Sequence, residues 1–138
     1  MLAAMKGVYI VAQTPFDADA GIDLASVDTL VDFYCRHGAD GFTVLGVSGE
    51  AGKLTEAESL AVAKRYIARA GGRPIIVGVS SPNLAQLSQL TARIMDAGAA
   101  GVMIAPASGI RTDDELNRYF DHVFTAIGEV PVVLQDFP

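Results

Sequence analysis

Pro74-Ile75-Ile76-Val77-Gly78-Val79, followed at once by Ser80-Ser81, is the stretch on which the fold turns. Its apolar residues do not alternate with polar ones, as they would in a strand with one wet face. A near-continuous run of this kind belongs to a strand covered on both sides, which is the habit of parallel sheets. Comparable runs stand at residues 8–12, 42–45, 102–105 and 132–135. Their starts recur about every 30 residues, the length of one βα unit.

Four helices are predicted between these strands. The first carries Val27, Leu30, Val31, Tyr34 and Cys35 on one face. The second opens with Thr55 and Glu58 in capping-box spacing, so each can satisfy a free backbone N–H of the first turn. The third has Leu87, Leu90, Thr91 and Ile94 on one stripe. The fourth repeats the capping box at Thr112 and Glu115 and continues with Leu116, Tyr119, Phe120, Val123, Phe124 and Ile127, the clearest amphipathic stripe of the chain. Gly38, Gly71, Gly98 and Gly128 are placed to end the helices in a left-handed conformation. Gly38-Ala39-Asp40-Gly41 and Gly98-Ala99-Ala100-Gly101 form a faint internal repeat, each linking a helix end to a strand.

A βαβαβαβαβ pattern fits two architectures: a five-stranded doubly wound, flavodoxin-like sheet, or the front of a parallel barrel. Periodicity alone does not separate them. The pattern stops at Pro138, directly after a strand and with no closing helix, which favours the barrel. With 138 residues the chain suits one domain but is short of the roughly 250 that a complete eightfold barrel needs. The expected fold is therefore α/β, with residues 1–138 as the N-terminal part, about four and a half βα units, of a single parallel (β/α)8 TIM barrel. A piece of that kind exposes strand edges and apolar faces, and is expected to be poorly soluble or to dimerise through them.

Hydrophobic residues make up 51% of the chain and the mean hydropathy is +0.35, yet no apolar run approaches the roughly 18 residues of a membrane span. Net charge is −6 and no Lys/Arg cluster exists, so neither nucleic acid nor an anionic membrane is an expected partner. The single cysteine, Cys35, permits no intrachain disulfide and fits a reducing, cytoplasmic setting. Residues 1–7 lack the charged and apolar regions of a signal peptide.

In either architecture ligands bind at the C-terminal ends of the strands. The segments leaving the strands are the richer ones: Gln13-Thr14-Pro15-Phe16, Gly46-Val47-Ser48-Gly49-Glu50, Gly78-Val79-Ser80-Ser81, Ala105-Pro106-Ala107-Ser108 and Gln135-Asp136-Phe137-Pro138. Residues 46–49 are suited to a concave cluster of backbone donors for a carboxylate or phosphate, although glycines after a strand more often make only a tight turn. The loop is neither a Walker A motif nor a dinucleotide fingerprint. No metal-ligand cluster is visible and no cofactor is expected. His37 ends the first helix, where an imidazolium complements the dipole. His122 stands beside Arg118 and Asp121 on a polar face, and Cys35 packs as a small hydrophobe.

Taken in order, these segments resemble the N-terminal half of the dihydrodipicolinate synthase / N-acetylneuraminate lyase family. Gly7-Val8 with Thr14-Pro15-Phe16 is similar to its first strand and loop. Gly46-Val47-Ser48-Gly49-Glu50 with Lys53-Leu54-Thr55-x-x-Glu58 resembles its G-[ST]-[ST]-G-E…L-[ST]-x-x-E signature, the most specific block. Residues 74–79 match the third strand, Gly98 to Gly101 with Ala105-Pro106 the fourth, and Leu134-Gln135-Asp136-Phe137-Pro138 stands where the family has L-Y-N-x-P.

The resemblance implies an enzyme that holds pyruvate or a related 2-oxo acid as a Schiff base on a lysine of the sixth strand, and commonly a tetramer of barrels. That lysine falls beyond residue 138; Lys6, Lys53 and Lys64 are poor substitutes, so the piece alone is expected to be inactive. The resemblance also assigns Ser48 to the substrate carboxylate, with Val47 and Gly49 in the same substrate-binding loop. Three positions depart from the family. Val47 replaces a hydroxyl of the proton relay, Ser108 falls where the synthases place a tyrosine, and Gln135 replaces the strand-five tyrosine that shuttles a proton. Glutamine donates a hydrogen bond but is a poor acid or base. The binding half of the pattern survives and the proton-transfer half does not, which argues against a true synthase. Three readings follow: a divergent Schiff-base lyase, aldolase or dehydratase; a non-catalytic relative that binds a small carboxylate; or, outside the family, a flavodoxin-like phosphate-binding domain.

Overall fold

The structure is a computed structural model that describes residues 5–136. Expectations for residues 1–4, and for Phe137-Pro138 of the fifth-strand motif, lie outside the described residues. Strands and helices alternate as the periodicity predicts: β1 (Tyr9–Val11), α1 (Leu24–Arg36), β2 (Gly41–Val44), α2 (Glu56–Arg69), β3 (Ile75–Gly78), α3 (Leu84–Asp96), β4 (Gly101–Ile104), α4 (Asp113–Ile127) and β5 (Val132–Leu134). The segment between β2 and α2 adds two 3-10 turns, Val47–Gly49 and Ala51–Lys53.

All four strand pairings are parallel, and the sheet order is β1-β2-β3-β4-β5. This order separates the two architectures. A doubly wound sheet begins in its middle and grows both ways, so its strand order is shuffled and helices cover both faces. Here every strand pairs with its successor, and α1 packs on α2, α2 on α3, and α3 on α4. Sequential parallel strands under a single helical layer are the construction of a (β/α) barrel. The flavodoxin-like alternative does not fit.

One buried cluster fills the space between helices and sheet. Phe42, Val44, Ile75, Val77, Val102 and Ile104 meet Val27, Val31, Val62, Ala63, Tyr66, Leu87, Ile94 and Val123 there. Phe42 lies between the rings of Tyr34 and Tyr66, with centroids 6.1 and 5.9 Å away. Ile76 and Met103 are buried as well but stand outside that cluster, on the opposite face of the sheet. The absence of alternation in residues 74–79 thus has its physical counterpart: both faces of β3 are covered.

The helix ends follow the sequence. Both capping boxes form, Thr55 with Glu58 and Thr112 with Glu115. Gly38, Gly71 and Gly98 take positive φ just past their helices. Gly128 is the cap of α4 itself, at φ 67 and ψ −146, so it departs from the left-handed helical conformation expected of it. Phe124 departs too. It lies on the predicted apolar stripe, yet it is 42% exposed and stacks on Phe120 at the margin of the helical layer, where no further helix follows among the described residues. Across the layer, Arg65 pairs with Asp28, Arg69 with Asp32 and Arg93 with Glu56. Each pair is 37 residues apart, so the βα repeat is also written in charge.

Candidate functional site

The segments leaving the five strands gather at the C-terminal end of the sheet, and the exit of β2 is the most constrained. Leu45 follows the strand with φ 58, a left-handed conformation for a non-glycine residue. Its carbonyl oxygen lies so close to Gly78 that a Cβ there would stand 2.1 Å from it. Only glycine at 78 admits this approach. The Thr14 hydroxyl, buried, donates to the Gly49 carbonyl at 2.6 Å, tying the exit of β1 to that of β2.

Within the turn Val47–Gly49, the Gly49 N–H donates to the Gly46 carbonyl at 3.1 Å, and the Glu50 N–H to the Val47 carbonyl at 3.0 Å. Those two donors are consumed. The N–H groups of Val47 and Ser48 open the turn, are not donors within it, and face no side-chain cap. Of the donor cluster expected over 46–49, the Gly49 N–H is thus spent within the turn, while those of Val47 and Ser48 are not. The side chains of Val47 and Ser48 are exposed, whereas Gly49 is buried. Glu50, also at positive φ, pairs with Lys53.

Gln135 enters the site from β5. Its N–H donates to the Ile104 carbonyl at 2.9 Å. With Val47 it lines an open cavity of about 150 Å³, together with Leu45, Gly46, Ala51, Gly78, Ser80, Met103 and Ala105. The only side-chain hydrogen-bond donors in that lining are Ser80 and Gln135, and none of the lining side chains is ionisable. Ser48 and Gly49, on the same turn as Val47, are not among its lining residues. Ser108 lies outside it, in a neighbouring cleft of about 160 Å³ that it shares with Ser80, Ser81 and Tyr119. A third cleft, of about 290 Å³, runs between the starts of α2 and α3 past Thr55, Glu56, Ser59 and Gln86.

Other ionisable groups stay out of the cavity. Lys6 precedes β1, Lys53 belongs to the turn Ala51–Lys53, and Lys64 is exposed on α2. Tyr66 donates to the Gln13 carbonyl at 2.8 Å, and Tyr34 to the Gln13 side chain at 2.7 Å, bracing the exit of β1. Burial, then the neighbouring Tyr34, pushes the Tyr66 phenol well above its ordinary range. His37 donates through Nδ1 to the Phe33 carbonyl at the end of α1, His122 is exposed, and Cys35 packs half-buried against the core. Asp136 is exposed. Among the described residues no cluster of metal-ligating side chains exists, and no helix is long and apolar enough to cross a membrane.

Three participants escape sequence reasoning. Ser80 and Thr14 stand in segments marked as chemically rich, but their partners, Ala105 and Gly49, are remote in sequence. Leu45 reads as an ordinary strand residue, and nothing in its identity announces positive φ.

Comparison with known proteins places this geometry. The sequence model of the Dihydrodipicolinate synthetase family matches residues 4–138. A 4-hydroxy-tetrahydrodipicolinate synthase from Stutzerimonas stutzeri is 31% identical over 136 residues, which are 97% of this chain and 46% of that protein. The crystal structure of dihydrodipicolinate synthase from Rhodopseudomonas palustris is 52% identical, with a TM-score of 0.92 over 96% of this chain and 44% of its own. YagE, a prophage protein of the dihydrodipicolinic acid synthase family from E. coli K12 solved in complex with pyruvate, is 29% identical with a TM-score of 0.88, over 98% of this chain and 46% of its own. The chain thus spans a little under half the length of the relatives it matches, and its sheet is part of their barrel.

Proposed function

Because the chain belongs to the dihydrodipicolinate synthetase family, we propose that the protein carrying it is a lyase or aldolase-type enzyme that forms a Schiff base with pyruvate or a related 2-oxo acid, and is not a true dihydrodipicolinate synthase. The observation that carries this reading is the cavity that brings the turn of Val47 together with Gln135 at the C-terminal end of the sheet.

The substrate carboxylate is received by Ser48, through its hydroxyl and the N–H groups that open the turn. Donors fixed in place by the backbone spend little free energy on reorganisation when the anion arrives. Gln135 donates a hydrogen bond near the reacting centre from the end of β5. The lysine that makes the imine is supplied from outside residues 5–136, as the family resemblance implies. A protonated imine is an electron sink for the adjacent carbanion.

Proton transfer is where the chemistry diverges. Val47 cannot relay a proton and Gln135 is no acid or base near neutrality. Protons are moved by water or by groups outside the described residues. Ser108, in the neighbouring cleft, contacts the second reactant. A cytoplasmic homo-oligomer of barrels, with no cofactor, completes the proposal.

The absence of titrating side chains in the cavity lining favours one second reading: a relative that binds a small carboxylate and has lost the reaction. Intact-mass spectrometry of the full-length protein with pyruvate, before and after borohydride reduction, decides between them. A stable adduct on one lysine is the expected result. No adduct with pyruvate or longer 2-oxo acids, alongside saturable carboxylate binding, would replace the enzyme by the binding protein.

A further inference from the structure

Ser80 stands just past β3, where the β3–β4 ladder ends. The last backbone bond there runs from the Val79 N–H to the Met103 carbonyl at 3.1 Å. The next donor on the β4 side, the Ala105 N–H, finds no backbone acceptor and instead donates to the Ser80 Oγ at 2.8 Å. This bond has two consequences. It fixes the Ser80 rotamer from a neighbouring strand end, so the side chain is positioned before any ligand arrives. It also occupies an acceptor lone pair of the hydroxyl and leaves its proton free to donate.

The cavity gives that proton a use. Of its nine lining residues, Leu45, Gly46, Val47, Ala51, Gly78, Met103 and Ala105 offer apolar side chains or none. A ligand oxygen turned towards the β3–β4 side meets one side-chain donor, Ser80, and one turned towards β5 meets Gln135. Val47 supplies no hydroxyl on the β2 side. Ser80 is exposed at the rim of this open cavity, within reach of an incoming ligand.

We infer that Ser80 is the second side-chain contact of the cavity to the bound oxo acid, its hydroxyl donating to a ligand oxygen across from the Gln135 amide. The inference rests on the reading of this cavity as the oxo-acid site. No bond is made or broken by Ser80. It selects ligands that present an acceptor oxygen on that side and holds them in register with the turn of Val47 and Ser48.

The test is calorimetric titration of full-length protein with pyruvate, for the unaltered protein and for Ser80→Ala, Ser80→Thr and Ser81→Ala, each paired with a thermal melt. Ser81 does not line the cavity; its Oγ accepts the Asn83 N–H at 3.1 Å, so Ser81→Ala is the control. Ser80→Ala is expected to weaken pyruvate binding roughly tenfold or more, the loss of one hydrogen bond to a charged ligand. Ser80→Thr keeps the hydroxyl and should restore most of it, and Ser81→Ala should bind as the unaltered protein does. A Ser80→Ala protein that melts earlier but binds pyruvate unchanged would overturn the inference, showing a hydroxyl that serves only Ala105. Should Ser80→Ala not fold, Ser80→Cys, with a weak donor of similar size, carries the decision on the same terms. An unaltered protein that binds no 2-oxo acid overturns both this inference and the function on which it rests.

Discussion

Gly78 and Leu45 meet where β2 ends, and the site depends on how closely they meet. Leucine in the left-handed region costs roughly 1–2 kcal/mol. The cost is sustained because Leu45 is buried at 3% exposure and its carbonyl is accommodated against a residue with no side chain. Gly78→Ala places a methyl group against backbone that cannot rotate away. We expect a loss of about 3 kcal/mol and displacement of the Val47–Gly49 turn; urea denaturation together with loss of pyruvate binding checks it, and an unperturbed midpoint would refute it. Tyr66 makes a second prediction at this scale. Its phenol is raised from an ordinary 10.0 by burial first and Tyr34 second. The folded state therefore holds the proton more tightly than the unfolded one. The stability this contributes is complete below about pH 10 and is lost as pH climbs towards the folded value. Melting temperature should fall above about pH 10 more steeply in the unaltered protein than in Tyr66→Phe. Residue-scale legibility was uneven for a physical reason. Val47, Ser48 and Gln135 stand out because adjacent sequence marks them, whereas Ser80 acquires its role from an N–H 25 residues away.

The elements were legible almost throughout, because their signals are local. Continuous apolar runs gave all five strands, and the apolar stripes with their capping boxes gave the four helices. What local signals could not supply was the order of strands in the sheet, which is decided by the packing of one βα unit on the next. Nor could they supply the two 3-10 turns, of which Val47–Gly49 follows the corner at Leu45 and is tied by the buried Thr14 hydroxyl. The caps can be tested directly. Thr55→Ala removes the hydroxyl that accepts the Glu58 N–H at 3.3 Å and should cost about 1 kcal/mol in chemical denaturation. The reciprocal half of the box titrates. The backbone N–H of Thr55, then its hydroxyl, holds the Glu58 carboxyl below its ordinary 4.5. A depressed carboxylate stabilises the fold above that ordinary value and ceases to do so as pH falls through the folded one. Glu58→Gln should therefore flatten part of the decline in melting temperature on acidification; a parallel decline in both proteins would show that the box makes no such contribution.

At the scale of the whole molecule, the sheet has two open edges and an incompletely covered inner face. β1 and β5 each have a single strand neighbour among the described residues. Val8 is 61% exposed, Val11 50% and Leu134 56%, and all lie in or beside those edge strands. An edge strand with apolar side chains and unpaired backbone groups is a template for another chain. The relatives are about twice as long, and the barrel seen in them supplies neighbours for both edges. Residues 1–138 made as a separate polypeptide should therefore be poorly soluble or associate through β1, β5 and the inner face. Sedimentation velocity over a range of concentrations reads this out directly, with dimers or larger species as the expected result. Leu134→Lys puts a charge on the β5 edge without touching the cluster between helices and sheet around Phe42, and should shift the distribution towards smaller species. The open edges also bear on the candidate site, since in a complete barrel further strands would stand around the cavity of Ser80 and Gln135. A 138-residue polypeptide that sediments as a stable monomer at all concentrations would mean that the half barrel shields its own edges, and the association argument would then fail.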